Sequence, residues 1–217
     1  MSQLIFKFPF KTTYYENDFY VSSNNFTAYK LIENCPNWLD SNINIFGEKG
    51  CGKTHLANIL KKKINSILVK PNELNESILA KFKNIKCLII DDYDNDIEEK
   101  LLYTILNFTK QSNKYIVINS LQPIKKNLIS LKDLKSRFDS FLDVGIDLPT
   151  DDLIRVILVK SLSDKQINVD IKLLEYILKN IERSYAKIFQ FIKDIDIESL
   201  STGKSININL IKKVLNK

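Results

Sequence analysis

The sequence is poor in cysteine and has no long uninterrupted apolar run. Its three cysteines, Cys35, Cys51 and Cys87, form neither a disulfide framework nor a zinc-binding pattern, because their number is odd and their spacing is irregular. No apolar run approaches the length of a membrane span, and the N-terminal segment turns polar too soon for a signal peptide. The sequence therefore predicts a soluble, cytoplasmic protein without a membrane partner.

A dense run of one charge is also missing. The 217 residues include 32 Lys and Arg against 26 Asp and Glu, a net charge of +6, and the lysines are spread along the chain. A basic balance favours anionic partners such as nucleotides or DNA. Heavy use of Ile, Asn and Lys throughout the sequence explains the charge more simply. The charge alone therefore identifies no partner.

Short apolar segments alternate with helical ones in the first two thirds of the chain. Strands are predicted at 43–46, 66–69, 87–90, 115–118 and 141–146. Helices are predicted at 24–34, 53–63, 73–82 and 96–111. This alternation predicts an α/β fold, in which a parallel sheet is covered by helices on both faces.

After Pro149 only helical periodicity remains, and no strand pattern returns. The helices are predicted at 152–161, 171–180, 185–200 and 209–215. We therefore expect three parts: a tail over 1–12, an α/β domain over 13–149 and a small all-α domain over 150–217.

The strongest motif is GEKGCGKT, which spans Gly47 to Thr54. It matches G-x-x-x-x-G-K-[ST] at every fixed position, with a predicted strand before it and a predicted helix after it. Glycines let successive backbone N–H groups turn toward phosphate oxygens, and a helix N-terminus favours the anion. The motif predicts an ATP or ADP site formed by Gly47, Gly50, Cys51, Gly52, Lys53, Thr54 and His55. Within it, Lys53 would supply charge to the β and γ phosphates and Thr54 a hydroxyl to Mg²⁺.

A second motif is the apolar run CLII followed by Asp91 and Asp92. Proteins with a P-loop use a carboxylate at the end of such a strand to hold Mg²⁺ and a neighbouring one to polarise water. Asp91 is therefore predicted to hold the metal through water, and Asp92 to orient the attacking water as a catalytic base. Without the P-loop, the pair would be read as a polar end to a strand.

Two other polar positions are less specific. Asn119 and Ser120 lie at the end of the strand that begins at Tyr115, where polar residues could sense the γ-phosphate, but ordinary loop chemistry explains them equally well. Of the two, Ser120 is predicted to bind the nucleotide. Arg137, in the segment LKSRF, is most simply a surface residue. In an oligomeric P-loop ATPase such an arginine can instead act on the γ-phosphate bound to a neighbour.

Together these motifs resemble the DnaA branch of the AAA+ proteins. The resemblance runs through FYVSSNN (19–25), GEKGCGKTHL, LIIDD and LKSRF, and covers essentially the whole chain. The segment CPNW (35–38) is similar to the Hda family of DnaA-related regulators, in its alphaproteobacterial form. The resemblance implies an AAA+ P-loop fold followed by a small helical lid.

The resemblance also implies roles for particular residues. Val21 would line the adenine pocket, and Arg137 would be a catalytic arginine finger. The lid arginine that touches the nucleotide in the family corresponds to Lys187, which keeps the charge but loses the bidentate fork. Ser22 stands where the family usually has glycine.

The N-terminal tail is similar to the peptide with which Hda-like proteins dock on the sliding clamp. Such peptides use a glutamine and bulky apolar anchors, here Gln3, Leu4, Phe6 and Phe8. The glutamine would hydrogen-bond at the edge of a pocket while the aromatic rings are buried in a groove. An apolar tail that packs on its own domain is the alternative.

The implied function is negative regulation of DNA replication initiation. With the DNA-loaded sliding clamp (the β subunit of DNA polymerase III), the chain would promote hydrolysis of DnaA-bound ATP rather than turn over ATP efficiently itself. Self-association is expected, and sequence-specific DNA binding is not, since the sequence ends after the lid. A helicase loader or transposition-helper ATPase, an autonomous ATPase acting on DNA, and a nucleotide-binding scaffold without turnover stay open as alternatives.

Overall fold

The computed structural model describes residues 16–95, 97–167, 169–202 and 206–215. The predicted clamp-binding residues Gln3, Leu4, Phe6 and Phe8 lie outside them, as does Asp96, the predicted start of a helix. The described chain forms two compact units, one that ends at Asp147 and another that begins at Leu148.

Within the described residues, a five-stranded parallel sheet lies at the centre of the first unit. Its strands are β1 (Asn42–Phe46), β2 (Ser66–Val69), β3 (Cys87–Tyr93), β4 (Tyr115–Ser120) and β5 (Leu142–Gly145). They lie in the order β2-β3-β4-β1-β5. The loop after β1 therefore lies at the same edge of the sheet as the carboxyl ends of β3 and β4, where ligands bind in open α/β sheets.

The helices of the first unit pack their apolar residues on this sheet. They are α1 (Phe26–Glu33), α2 (Lys53–Lys63), α3 (Glu76–Phe82), α4 (Glu99–Gln111) and α5 (Lys132–Asp139). The strand segment from Cys87 to Ile90 is fully buried, as expected for a parallel sheet covered on both faces. α5 was not predicted from the sequence, since only Leu134 and Phe138 give it an apolar face.

The second unit is helical in its described residues. Its helices are α6 (Asp151–Asp164), α7 (Ile171–Asn180), α8 (Tyr185–Thr202) and α9 (Ile208–Leu215). Ile154, Leu158, Ile188 and Ile211 are buried in a common core, and the hydroxyl of Thr150 accepts a hydrogen bond from the Leu153 N–H at 3.3 Å, which caps α6.

The predicted fold class is confirmed, because a parallel sheet with helices precedes a helical region. No helix among the described residues is long and apolar enough to cross a membrane.

Candidate nucleotide-binding site

The loop between β1 and α2 has a backbone that requires glycine. A Cβ on Gly47 would lie 2.7 Å from the carbonyl oxygen of Ile146, which is too close for any other residue. Gly52, immediately before α2, has a φ of 104°. A Cβ there would also lie 3.0 Å from Cε2 of Phe19. The glycines of the motif thus let the loop pass close to its neighbours and turn into the helix.

Lys53 is enclosed by this loop. The side chain is buried, and Nζ donates hydrogen bonds to the carbonyl oxygens of Gly47 at 2.7 Å and Glu48 at 2.9 Å. These acceptors are neutral, so they do not compensate the charge of the ammonium group. A phosphate oxygen that replaced one of them would add the missing negative charge.

Cys51 fills the space between Gly47 and Lys53. Its side chain is 4% exposed, and burial raises the pKa of its thiol, which the charge of Lys53 only partly offsets. A neutral thiol is a poor nucleophile and a poor metal ligand. Cys51 therefore acts in the loop as a small apolar residue.

Asp91 joins three elements at the end of the sheet. Its Oδ2 accepts a hydrogen bond from Thr54 Oγ1 of α2 at 2.7 Å, and its Oδ1 accepts one from Asn119 Nδ2 of β4 at 2.7 Å. The carboxylate is 4% exposed, so these bonds replace most of its solvation. The two residues that the sequence assigned to Mg²⁺, Thr54 and Asp91, are in direct contact.

The donor set fits Mg²⁺ held together with phosphate and water. Mg²⁺ usually takes one or two protein oxygens and keeps several waters, rather than filling a cage of carboxylates. The described residues contain no cluster of three or more His, Cys, Asp or Glu that could hold a metal. Among them, Oδ1 of Asn119 is buried without a hydrogen-bond partner beside Asp91, and it can accept a bond from bound water.

The side chains of Asn119 and Ser120 point to opposite faces of β4, as successive residues of a strand do. Ser120 Oγ donates to the Gln122 carbonyl oxygen at 2.7 Å and accepts from Asn44 Nδ2 at 2.8 Å. Asn119 makes the contact with Asp91. The geometry therefore places Asn119, rather than Ser120, beside Asp91, and the role of Ser120 at the nucleotide stays a prediction. A strand buried on both faces gives no sequence pattern from which that orientation could be read.

Asp92 lies in a bulge of β3. The pairing with β4 shifts between Ile90 and Tyr93, and Asp92 has a φ of 58°, which non-glycine residues seldom adopt. Its side chain is exposed, in contrast to the buried residues on either side. The bulge thus turns the side chain of Asp92 into solvent, while that of its neighbour Asp91 stays buried. The catalytic role of Asp92 stays a prediction.

An aromatic cluster lies beside the P-loop, where the ring of Phe19 approaches Gly52. The ring of Phe19 stacks on Tyr29 with centroids 5.8 Å apart and meets the His55 ring edge to face at 5.3 Å. His55 follows Thr54 on α2, so the cluster connects the segment before α1 to the P-loop. His55 was predicted as a nucleotide-binding residue, but the ring that contacts it was not singled out from the sequence.

Two buried asparagines fix the segment that carries Val21. Asn25 donates from Nδ2 to the Tyr20 carbonyl oxygen at 3.0 Å and accepts from the Ser22 N–H at 2.9 Å. Asn24 donates from Nδ2 to the Asp147 carbonyl oxygen at 3.1 Å. Val21, which is partly buried, therefore lies on a well-fixed backbone, and its role at the adenine base stays a prediction.

The two cationic residues that the resemblance singled out lie on different helices. Arg137 is half-buried on α5, and its Nη2 donates to Asn107 Oδ1 of α4 at 2.8 Å. Lys187 is exposed on α8 of the second unit, where its N–H donates to Ser184 Oγ at 3.3 Å. Their functional roles stay predictions.

Comparison with protein families and curated proteins finds relatives among replication initiators. A family model described as RNA helicase matches residues 43–141, which is less than half of the chain. The chromosomal replication initiator protein DnaA of Buchnera aphidicola subsp. Cinara cedri (strain Cc) is 29% identical, over 88% of this chain and 49% of that protein. The DnaA of Lachnoclostridium phytofermentans is 28% identical, over 91% of this chain and 50% of that protein. The chain thus spans about half the length of the curated relatives that it matches.

Solved structures give the fold. Domain III of the Thermotoga maritima replication initiation protein DnaA superposes with a TM-score of 0.76 at 20% identity, over 96% of this chain and 98% of that one. AMPPCP-bound DnaA from Aquifex aeolicus gives 0.68 at 22% identity, over 86% and 66%. The RuvB Holliday junction branch migration motor of Thermotoga maritima gives 0.66 at 18% identity, over 94% and 72%. The chain therefore has an AAA+ fold that matches domain III of DnaA.

Proposed function

We propose that this chain is an AAA+ regulator that binds ATP or ADP with Mg²⁺ and, with the DNA-loaded sliding clamp, promotes hydrolysis of DnaA-bound ATP. The observation that carries the nucleotide site is the contact of Asp91 with Thr54 and Asn119, beside the loop that encloses Lys53. The regulatory role rests on the resemblance to Hda and on the similarity to DnaA.

In the proposed site, residues of the first unit would bind both the phosphates and the base of the nucleotide. Lys53 would exchange its carbonyl acceptors for phosphate oxygens, while Val21 lies against the base. Thr54 and Asp91 would hold Mg²⁺, which when bound neutralises charge on the β and γ phosphates. Asp92 would orient the attacking water. The nucleotide bound in an AMPPCP complex of a similar protein supports this assignment.

The proposed regulatory reaction takes place on a neighbouring protein. Arg137 would reach the γ-phosphate bound to DnaA, where a positive charge stabilises the transition state of phosphoryl transfer. Face-to-face packing of AAA+ subunits is needed for this, so self-association is also expected. The tail residues Gln3, Leu4, Phe6 and Phe8 would dock on the β clamp.

The decisive experiment measures hydrolysis of DnaA-bound ATP with and without this chain and DNA-loaded clamp. We expect acceleration only when both are present. Arg137→Ala should abolish the acceleration while ADP binding is kept, whereas Lys135→Ala, which removes an exposed charge from the same helix, should leave it unchanged. Acceleration that survives Arg137→Ala contradicts the finger role.

The helicase-loader or transposition-helper alternative predicts a different partner. A pull-down against clamp, DnaA and replicative helicase separates the two, because only a loader should retain the helicase. Retention of helicase without clamp or DnaA would replace the proposed function by this alternative.

A further inference from the structure

Two polar side chains on one face of α4 hold α5 and the residues just before it. Near its start, the Glu99 carboxylate accepts hydrogen bonds from the N–H groups of Ser130 at 2.9 Å and Leu131 at 2.7 Å. Two turns further along, Asn107 Oδ1 accepts the bond from Arg137 Nη2 at 2.8 Å. Residues two turns apart lie on the same face of a helix, so α4 fixes both the entry of α5 and the arginine near its end.

The backbone of α5 is fixed independently of the arginine side chain. Leu134 and Phe138 are buried in the core of the first unit, at 0% and 1% exposure. Phe138 is adjacent to Arg137, so the Cα position of the arginine is determined by packing. Its long side chain still has several freely rotating bonds, and the contact with Asn107 selects one direction for the guanidinium.

The group that accepts the bond from Arg137 is a neutral amide oxygen, that of Asn107. A guanidinium has five N–H donors, and the single bond to an amide oxygen leaves the others available. The amide is also neutral, so it orients the group without compensating its charge. An aspartate of the same shape would form a stronger, charge-assisted pair and would compete with a phosphate for the guanidinium.

We infer that Asn107 is a positioning residue for Arg137, which it orients toward the nucleotide bound by a neighbouring subunit while the positive charge stays available. The inference rests on the proposed role of Arg137 in the hydrolysis of DnaA-bound ATP. It goes beyond that role because it names the residue through which the arginine is held and the reason why that residue is an amide.

The test compares Asn107→Ala, Asn107→Asp and Arg137→Ala with Gln111→Ala, a matched control that removes an exposed amide one turn further along α4. Single-turnover hydrolysis of DnaA-bound ATP is measured at rising concentrations of each protein in the presence of loaded clamp. This separates the maximal rate from the half-saturating concentration, and a thermal melt is recorded for every variant.

Asn107→Ala should lower the maximal rate about ten- to a hundredfold, because a misdirected group loses most of its effect at the reacting centre. Its half-saturating concentration should be unchanged. Asn107→Asp should have a melting temperature equal to or above that of the natural protein. Its maximal rate of hydrolysis of DnaA-bound ATP should nevertheless be no higher than that with Asn107→Ala. A purely structural role predicts the opposite for Asn107→Asp, since the stronger pair would preserve the rate.

Each other outcome has a definite meaning. If Arg137→Ala abolishes the acceleration but Asn107→Asp or a folded Asn107→Ala retains the natural rate, the positioning role is overturned and the proposed function stands. If Arg137→Ala retains the natural rate, the finger role and the inference fail together. Should Asn107→Ala melt too early to assay, Asn107→Asp decides.

Discussion

At the scale of single residues, the electrostatic design of the site depends on Lys53. Its ammonium group is buried against the loop carbonyls of Gly47 and Glu48, so it is already ordered where phosphate oxygens would bind. On binding, charged phosphate oxygens would replace these neutral carbonyl acceptors, and the Lys53 side chain would lose little further conformational freedom. Such preorganisation increases affinity because less conformational entropy is lost on binding.

Lys53→Ala should therefore weaken nucleotide binding by about 1.5–3 kcal/mol, the usual range for a hydrogen bond to a charged group. Calorimetric titration with ADP measures the change. Lys49→Ala is the matched control, because it removes an exposed charge from the same loop and should leave the affinity nearly unchanged. Equal affinities of Lys53→Ala and the natural protein would contradict the assignment.

Tyr93 gives the first unit a dependence on alkaline pH. Burial raises the pKa of its phenol from 10.0 to about 12, which the hydrogen bond with Asn127 partly opposes. A raised pKa in the folded state means that the stabilising contribution is complete below pH 10 and is lost as the pH rises toward 12.

The free energy of unfolding should thus fall more steeply above pH 10 in the natural protein than in Tyr93→Phe, by up to about 1.4 kcal/mol per pH unit. Urea unfolding of both proteins at pH 9 and pH 11 measures the difference. Parallel losses in the two proteins would show that the phenol does not contribute.

At the scale of secondary structure elements, the sequence predicted the helices and strands that have a clear apolar periodicity of their own. The helix at 53–63 and the strand at 66–69 have the predicted bounds, because apolar periodicity and turn residues mark both ends. β3 continues beyond its predicted end, since the bulge at Asp92 lets Tyr93 pair again with Ser120. α5 escaped prediction because it has few apolar residues and is stabilised by contacts with α4, which are distant in sequence.

The same distinction holds for the candidate site. The proximity of the P-loop to Asp91 could be predicted, since the carboxyl ends of parallel strands meet at one edge of the sheet. The contacts of Asn119 with Asp91 and of Asn107 with Arg137 join residues from different elements. No spacing within the sequence encodes such pairs, so only the folded structure identifies them.

Glu99→Ala tests how much α5 depends on α4. The change removes the acceptor for the N–H groups of the two residues that precede α5, and a typical intramolecular hydrogen bond contributes about 0.5–1.5 kcal/mol of stability. Urea unfolding should show this loss, and hydrogen exchange should be faster over 130–139. Glu98→Ala is the control, since Glu98 makes no side-chain capping bond, and an equal effect of both changes would contradict the prediction.

At the scale of the whole molecule, the tail should be separable from the ATPase fold. Gln3, Phe6 and Phe8 precede the predicted α/β domain, so we expect them to contribute little to the stability of its core. Replacing all three with alanine should spare the melting temperature and nucleotide binding. Clamp affinity should fall strongly, since aromatic anchors typically contribute roughly 2 kcal/mol or more each.

A thermal melt beside a clamp-binding titration distinguishes docking from core packing. Early melting with unchanged clamp binding would refute the docking role. A stable triple mutant that no longer binds clamp should also lose the clamp dependence of DnaA-ATP hydrolysis.

The strand order has a consequence for biosynthesis. β1 is made first, yet it lies between β4 and β5, so Asn42 pairs with Ile116 and Ile43 with Leu142. Pairing across such long stretches of chain is slow, because each loop must close before any contact repays the entropy. When the P-loop has just been synthesised, Asn119, which bonds to Asp91 in the folded protein, has not yet been made. The candidate nucleotide site can therefore assemble only after β4 has been synthesised and has paired with β1 and β3.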